Sequence, residues 1–289
     1  MAQNNLHGIL FMLAGMSIFA IVDAMAKYLT QDYHPMQIVW TRQLGFFVGA
    51  VILIAWRGTV ILQTKRRGLQ ILRGLFAVMS AWIFITGIAI VPLADATSVT
   101  FVAPLIVVVI GALVLREPVG WHRWSAVIIG FMGTLIILRP GFDAFNPALL
   151  FPFFAACFFA GRQIISRYLA QTETMITTIC YTAIVSFIAT CIPLYAVWQM
   201  PNVPSHIWLM LAMTLLSAIG EICIIWALQI GLAVAVAPMH YTILLWSTLY
   251  GYLFFNQLPD GFTVGGGLMI IATGLYALYR EHVKRTMPS

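Results

Sequence analysis

The sequence predicts an all-α integral membrane protein whose ten transmembrane helices form two inverted five-helix repeats. Three observations predict it. Hydrophobic residues make up 62% of the 289 positions, only 8% are charged, and the mean hydropathy is +0.96. Soluble proteins carry about 25% charged residues, so no fold in water could hide this much apolar surface. Ten apolar runs, near 6–29, 36–57, 69–91, 94–115, 121–138, 147–170, 174–198, 206–231, 232–255 and 262–281, approach the roughly 20 residues that a spanning helix needs. Finally, the chain repeats itself at an offset near 140. The alternating segments of about ten residues that mark a β-barrel are missing, and helices satisfy their own backbone groups in hydrocarbon.

The first run contains "IFAIVDAMAKYL", with Asp23 and Lys27 inside otherwise apolar sequence. "AMA" at 24–26 resembles a cleavage site, but no basic residue precedes Lys27, so the run is read as a retained helix. The second run carries Arg42 and a Gly45–Gly49 pair suited to close packing inside the chain. The third holds Trp82 and ends in a tight hairpin at Pro92–Asp95, where water accounts for the aspartate. Pro104 lies within the fourth run and Pro238 within the ninth; each removes a backbone hydrogen bond and is expected to kink its helix. The sixth run carries Arg162 and the eighth Glu221. The ninth carries His240, Tyr241 and Trp246, and the tenth Gly265–Gly267. Trp56, Trp121, Trp124, Trp198 and Trp208 fall at run ends, as interfacial belts require. All four cysteines lie in apolar runs without CxxC spacing, which points to neither disulfides nor zinc.

Placing the amino terminus in the cytoplasm puts eleven basic residues inside, among them Lys65–Arg67 and Arg73, and only Lys27 and Arg139 outside. This positive-inside bias sets both termini in the cytoplasm. The net charge of +6 is a topology signal and gives no reason to expect nucleic acid as a partner.

The repeat is visible in "KYLTQ" at 27–31 against "RYLAQ" at 167–171, and in Phe11, Phe19 and Ala20 against Phe151, Phe159 and Ala160. "PLADATSVTF" at 92–101 parallels "GLAVAVAPMHY" at 231–241. Residues 1–144 and 145–289 form the halves. Five helices per half is odd, so equivalent helices cross in opposite directions, a device of transporters.

The segment "LADATSVTFVAPLIVVVIGALVLREPVGWHRWSAVIIGFMGTLIIL", with its Arg116–Glu117–Pro118 turn, resembles the repeat of the EamA family of the drug/metabolite transporter superfamily. The second copy reads Asn256–Gln257–Leu258–Pro259 and lacks the acid. Phe19, Asp23, Lys27, Gln37 and Arg42 resemble the bacterial branch with riboflavin and S-adenosylmethionine carriers. The resemblance implies a bacterial inner-membrane protein with a central cavity lined by helices 1, 3, 4, 6, 8 and 9.

Four charges lie within the spans: Asp23, Arg42, Arg162 and Glu221. At 1.5 Å per residue, Asp23 and Arg42 both sit roughly 9 Å below the outer boundary and are expected to pair. Arg162 and Glu221 lie roughly 12 and 15 Å above the inner boundary and form the expected second pair. The two pairs would gate the two sides in turn. A local Asp23–Lys27 pair at i, i+4 is an alternative for the acid, and either arginine could snorkel to a headgroup. Glu221 could be a protonated packing residue or a proton carrier. For substrate binding the candidates are Trp82, Phe101, Tyr241 and Trp246 as stacking surfaces, with Glu221 and His240 as polar anchors, though each aromatic also suits core packing.

The sequence thus reads as a secondary carrier of a small organic metabolite, first a flat heterocycle such as riboflavin, alternatively S-adenosylmethionine, an amino acid or a drug. It is expected to need no cofactor or metal and to work as a monomer or weak homodimer. No GxxxxGK[ST] stretch is present, so ATP hydrolysis is not expected of this chain. A membrane enzyme would need clustered acids or histidines at one interface, which is not the pattern here. A non-transporting sensor or structural protein remains the rival from another class.

Overall fold

The computed structural model describes residues 5–113, 121–139, 146–232 and 236–286, with 122–123, 237 and 277–286 described by backbone alone. The Arg116–Glu117–Pro118 turn lies outside these. The helices are α1 (Asn5–Leu29), α2 (Pro35–Arg57), α3 (Arg67–Ile90), α4 (Leu93–Thr100), α5 (Ala103–Leu113), α6 (Trp121–Leu138), α7 (Leu150–Leu169), α8 (Met175–Val197), α9 (Pro204–Ile230), α10 (Thr242–Phe255) and α11 (Gly261–Thr286). Among the described residues there is no strand. Seven stretches are long and apolar enough to cross a membrane, including Leu93–Leu113, which is α4 and α5 together. With α6, α11 and the ninth crossing, this gives the ten expected.

The two breaks fall at the expected prolines. The fourth crossing stops at Thr100 and restarts at Ala103, one residue before Pro104. In the ninth, α-helical Val236 is followed by a 3-10 turn at Ala237–Tyr241 containing Pro238, and the chain is α-helical again from Thr242. The missing proline N–H at each place removes the i to i−4 bond that would keep the helix continuous.

The repeat is written in the backbone. After α1, the N–H groups of Thr30, Gln31, Asp32 and Tyr33 donate to the carbonyls of Ala26, Tyr28, Leu29 and Leu29. After α7, those of Ala170, Gln171, Thr172 and Glu173 donate to Ser166, Tyr168, Leu169 and Leu169, each donor and acceptor displaced by 140. His34 caps α2 and Thr174 caps α8. The stops of α3 and α9 also match: Val91 donates to Gly87, and Gly231 to Ala227.

Packing obeys the same exchange. α1 lies along α9 and α3 along α7, and swapping the halves turns the first contact into the second. α2 with α8, and α6 with α11, map onto themselves. Both long contacts are antiparallel. Gly8 meets Gly231 and Gly15 meets Gly220; Gly87 meets Pro152 and Gly161 meets Phe76. Without a hydrophobic drive between helices in lipid, such close approaches supply much of the association. Gly45 is closed against the Thr214 carbonyl, and Gly266 against Gly133, whereas Gly49 and Gly265 meet nothing within 4 Å. The expected close packing therefore belongs to Gly45 and Gly266, within the chain. Trp56, Trp121, Trp198 and Trp208 are exposed at helix ends, as belts should be.

Candidate functional site

Outer and inner below follow the orientation that the basic residues predict. The site is built on α1, because this helix carries an acid that burial would otherwise exclude. Asp23 is 5% exposed, and Arg42 Nη1 on α2 donates to its Oδ1 at 2.9 Å. The Arg42 guanidinium also lies 5.2 Å from the Phe19 ring centre. The carboxylate is thus held by a charge-assisted bond rather than by water.

Lys27 does not share Asp23, so the i, i+4 alternative is corrected. Its Nζ donates to the carbonyls of Ile88 at 2.7 Å and Val91 at 2.6 Å, 5.5 Å from the Phe255 ring centre. α3 ends there with carbonyls that have no intrahelical partner, and a buried cation suits the negative end of the helix dipole.

More fastenings lie around it. The Tyr33 hydroxyl is 3.0 Å from His206 Nδ1. Gln37 Nε2 donates to the Gln199 carbonyl at 2.8 Å and its Oε1 accepts from the Gln199 N–H at 2.9 Å. Arg139 is ion-paired with Asp260. The predicted outer end is therefore laced together across α1, α2, α3, α6, α9 and the loop before α11. Asp95 is half-buried, with Oδ1 sealed and unpartnered among the described residues, so exposure to water does not account for it.

The inner half is different. The expected Arg162–Glu221 pair is not made: no hydrogen bond or ion pair within 4 Å joins them among the described residues. Arg162 instead lies 4.6 Å from the Phe159 ring centre, with Nε sealed and without a partner among the described residues. Phe159 and Phe19 are repeat equivalents, so each half sets an arginine over the same phenylalanine. Only the first half places an acid beside it, because the equivalent of Asp23 is Gln163.

Arg73, read from sequence as one more cytoplasmic charge, is half-buried and turned into the bundle. Its Nε donates to Ser166 Oγ at 2.7 Å, and Nη1 donates to the Thr182 hydroxyl. The signal was its place inside the third run rather than before it. Six residues after the start of α3, it lies roughly 9 Å from the inner boundary.

The aromatic candidates divide. Phe101, at the break in the fourth crossing, and Tyr241, at the break in the ninth, meet with ring centres 5.0 Å apart. These repeat-related residues touch each other, as residues beside a pseudo-two-fold axis must. Gly274 makes the contact possible, since a Cβ there collides with the Tyr241 hydroxyl. Trp246 stacks on Tyr250 at 6.2 Å and 22°, with its Nε1 sealed and without a partner among the described residues. Tyr250 in turn bonds Ser17 Oγ at 2.8 Å. His240 is exposed. Trp82 touches the main core but also lines a lateral groove of about 280 Å³ with His34, Met36, Leu75, Ala189 and Pro193. Among the described residues no ring contact joins it to the other aromatic candidates, although it packs against the core cluster that contains Phe101.

An EamA-like transporter family model matches residues 6–139. The chain is 33% identical over 291 residues to an S-adenosylmethionine uptake transporter of Rickettsia prowazekii (strain Madrid E), covering 98% of this chain and 96% of that one. It is 29% identical over 287 residues to a riboflavin transporter of Vibrio cholerae serotype O1, covering 97% and 96%. It is similar also to a pseudopaline exporter of Pseudomonas aeruginosa, 25% identical over 270 residues, covering 91% and 93%. A solved crystal structure aligns over 96% of this chain and 98% of its own, with a TM-score of 0.64 at 16% identity, a likeness of fold alone.

Proposed function

Since the chain belongs to the EamA-like transporter family, we propose that it is a secondary carrier working by alternating access in a bacterial inner membrane, both termini cytoplasmic. The moving units are residues 1–144 and 145–289, rocking about the Phe101–Tyr241 contact. One observation carries this reading: the outer ion pair Asp23–Arg42 is made, while among the described residues no ion pair joins Arg162 and Glu221 in the inner half. That is the pattern of a carrier whose outer ion pair is closed and whose inner ion pair is open. In the opposite state the roles reverse, with Glu221 closing on Arg162. Inverted repeats provide this exchange, because each half takes up the conformation the other leaves.

For substrate, the inner charges shift the order reached from sequence. Riboflavin offers a flat ring but no charge for two arginines and a glutamate. S-adenosylmethionine offers a flat ring, a carboxylate and two cationic centres, and similarity to an S-adenosylmethionine uptake transporter supports it. It is therefore placed first and riboflavin second. The test is counterflow in proteoliposomes loaded with unlabelled S-adenosylmethionine. Labelled S-adenosylmethionine is expected to accumulate and to be displaced by the unlabelled compound better than by riboflavin. Riboflavin as the better competitor reverses the order; no accumulation of either compound removes both as substrates.

A further inference from the structure

Arg162 is a membrane-embedded guanidinium that donates no hydrogen bond to protein among the described residues. Its guanidinium lies over the face of Phe159, with Nε sealed and without a partner among the described residues. A guanidinium carries five N–H donors in a planar fork. Leaving a buried charge unpaired is costly, and intramembrane charges ordinarily find partners. Arg42 shows what a satisfied arginine in this fold looks like, with an aromatic ring on one side and a carboxylate at 2.9 Å. Arg162 has the ring and lacks the carboxylate.

Arg73 adds to the imbalance. Ser166 and Thr182 orient it by hydroxyl groups, which fix its direction without neutralising it. Two cations thus share the inner half with one acid, Glu221, which makes no hydrogen bond or ion pair with either among the described residues. Resting on the carrier reading above, we infer that Arg162, with Arg73 behind it, is the carboxylate subsite of the transported metabolite, and that Glu221 receives its ammonium group. The ligand class this selects is an α-amino acid end, with carboxylate and amine one carbon apart. Bidentate carboxylate recognition suits the arginine fork, and a lysine would not reproduce it. A neutral flat ring leaves the subsite empty.

The experiment compares two probes on the full chain in proteoliposomes: S-adenosylmethionine and its decarboxylated form, which keeps the ring, the sulfonium and the amine. Each is tested as competitor of labelled S-adenosylmethionine and for direct binding to detergent-solubilised protein by quenching of tryptophan fluorescence. The expected result is that decarboxylated S-adenosylmethionine binds wild type at least about tenfold more weakly, the size of one lost charge-assisted bond. Arg162→Gln should bring S-adenosylmethionine down to that level and leave the decarboxylated probe unchanged. Arg162→Lys should recover only part of the difference. Equal binding of the two probes to wild type overturns the subsite while leaving counterflow, and so the carrier reading, intact. Equal weakening of both probes by Arg162→Gln also overturns it. Absence of binding by either probe removes the amino acid end, and counterflow of riboflavin in the same vesicles then separates this from a protein that carries nothing.

Discussion

Asp23 and Lys27 show how one turn of helix holds two opposite charges that do different work. The acid is matched by Arg42, the lysine by the carbonyls that close α3. Removing one partner of a buried pair leaves the other uncompensated, at about 3–5 kcal/mol, so Asp23→Asn should destabilise the protein by that order. The double variant Asp23→Asn/Arg42→Gln removes both charges and should regain more than half of the loss. Because the pair is proposed as the outer latch, counterflow should stay impaired in the double variant. Thermal unfolding in detergent and counterflow, measured side by side, check both statements; full activity in the double variant would refute the latch. Lys27→Met keeps the apolar stem but deletes two charge-assisted bonds, each worth about 1.5–3 kcal/mol. It should lower stability by at least about 2 kcal/mol while leaving the Asp23–Arg42 pair in place.

At the scale of helices, contact in lipid depends on how near two backbones come. Gly45 faces the Thr214 carbonyl with no space for a methyl group, and Thr214 Oγ1 also donates to the Thr41 carbonyl at 2.9 Å. Gly45→Ala should part α2 from α9 and cost about 1–3 kcal/mol, as overpacked interfaces do. Gly49→Ala, four residues on and facing open space, should be neutral in the same unfolding measurement. The sequence named both glycines but could not tell them apart, because α2 is apolar on every side and its pattern does not say which face meets protein. The breaks were legible for a different reason. Pro104 and Pro238 act through a missing N–H, a local property that needs no partner. The same contrast runs through the site. Asp23 and Arg42 were legible as a pair because depth on two consecutive antiparallel helices suffices to match them. Arg73 was not, because a basic residue near a helix start looks alike whether it faces headgroups or turns inward, and only Ser166 and Thr182 on other helices decide it.

For the molecule as a whole, the duplication at an offset of 140 was the most informative feature of the sequence. It holds down to individual backbone hydrogen bonds after α1 and α7. It predicts that the halves have equal structural options, yet the two ends differ in the structure. The outer end is fastened by Asp23–Arg42, by Lys27, and by the Tyr33–His206 and Gln37–Gln199 contacts. Among the described residues, the inner half has the Arg73 bonds, Gln70 donating to Thr178, Tyr181 to the Leu62 carbonyl, and the Lys65 N–H to Glu173, but no ion pair between Arg162 and Glu221. Related repeats fastened differently at their two ends suit the alternating access proposed above, which calls for a second state with the ion pairs exchanged. Opening the outer end must then separate Tyr33 from His206, whose rings lie 5.5 Å apart. Cysteines placed at 33 and 206, in a background lacking the four native cysteines, and joined by a short bis-thiol linker, should hold the carrier shut outside. Counterflow should fall at least about tenfold on cross-linking and return when a cleavable linker is cut. Binding of substrate from the inner side should survive, since no residue of the proposed subsite is touched. Undiminished counterflow with the bridge closed would mean that this end never opens, and the two halves would then have to work by a route that does not exchange their conformations.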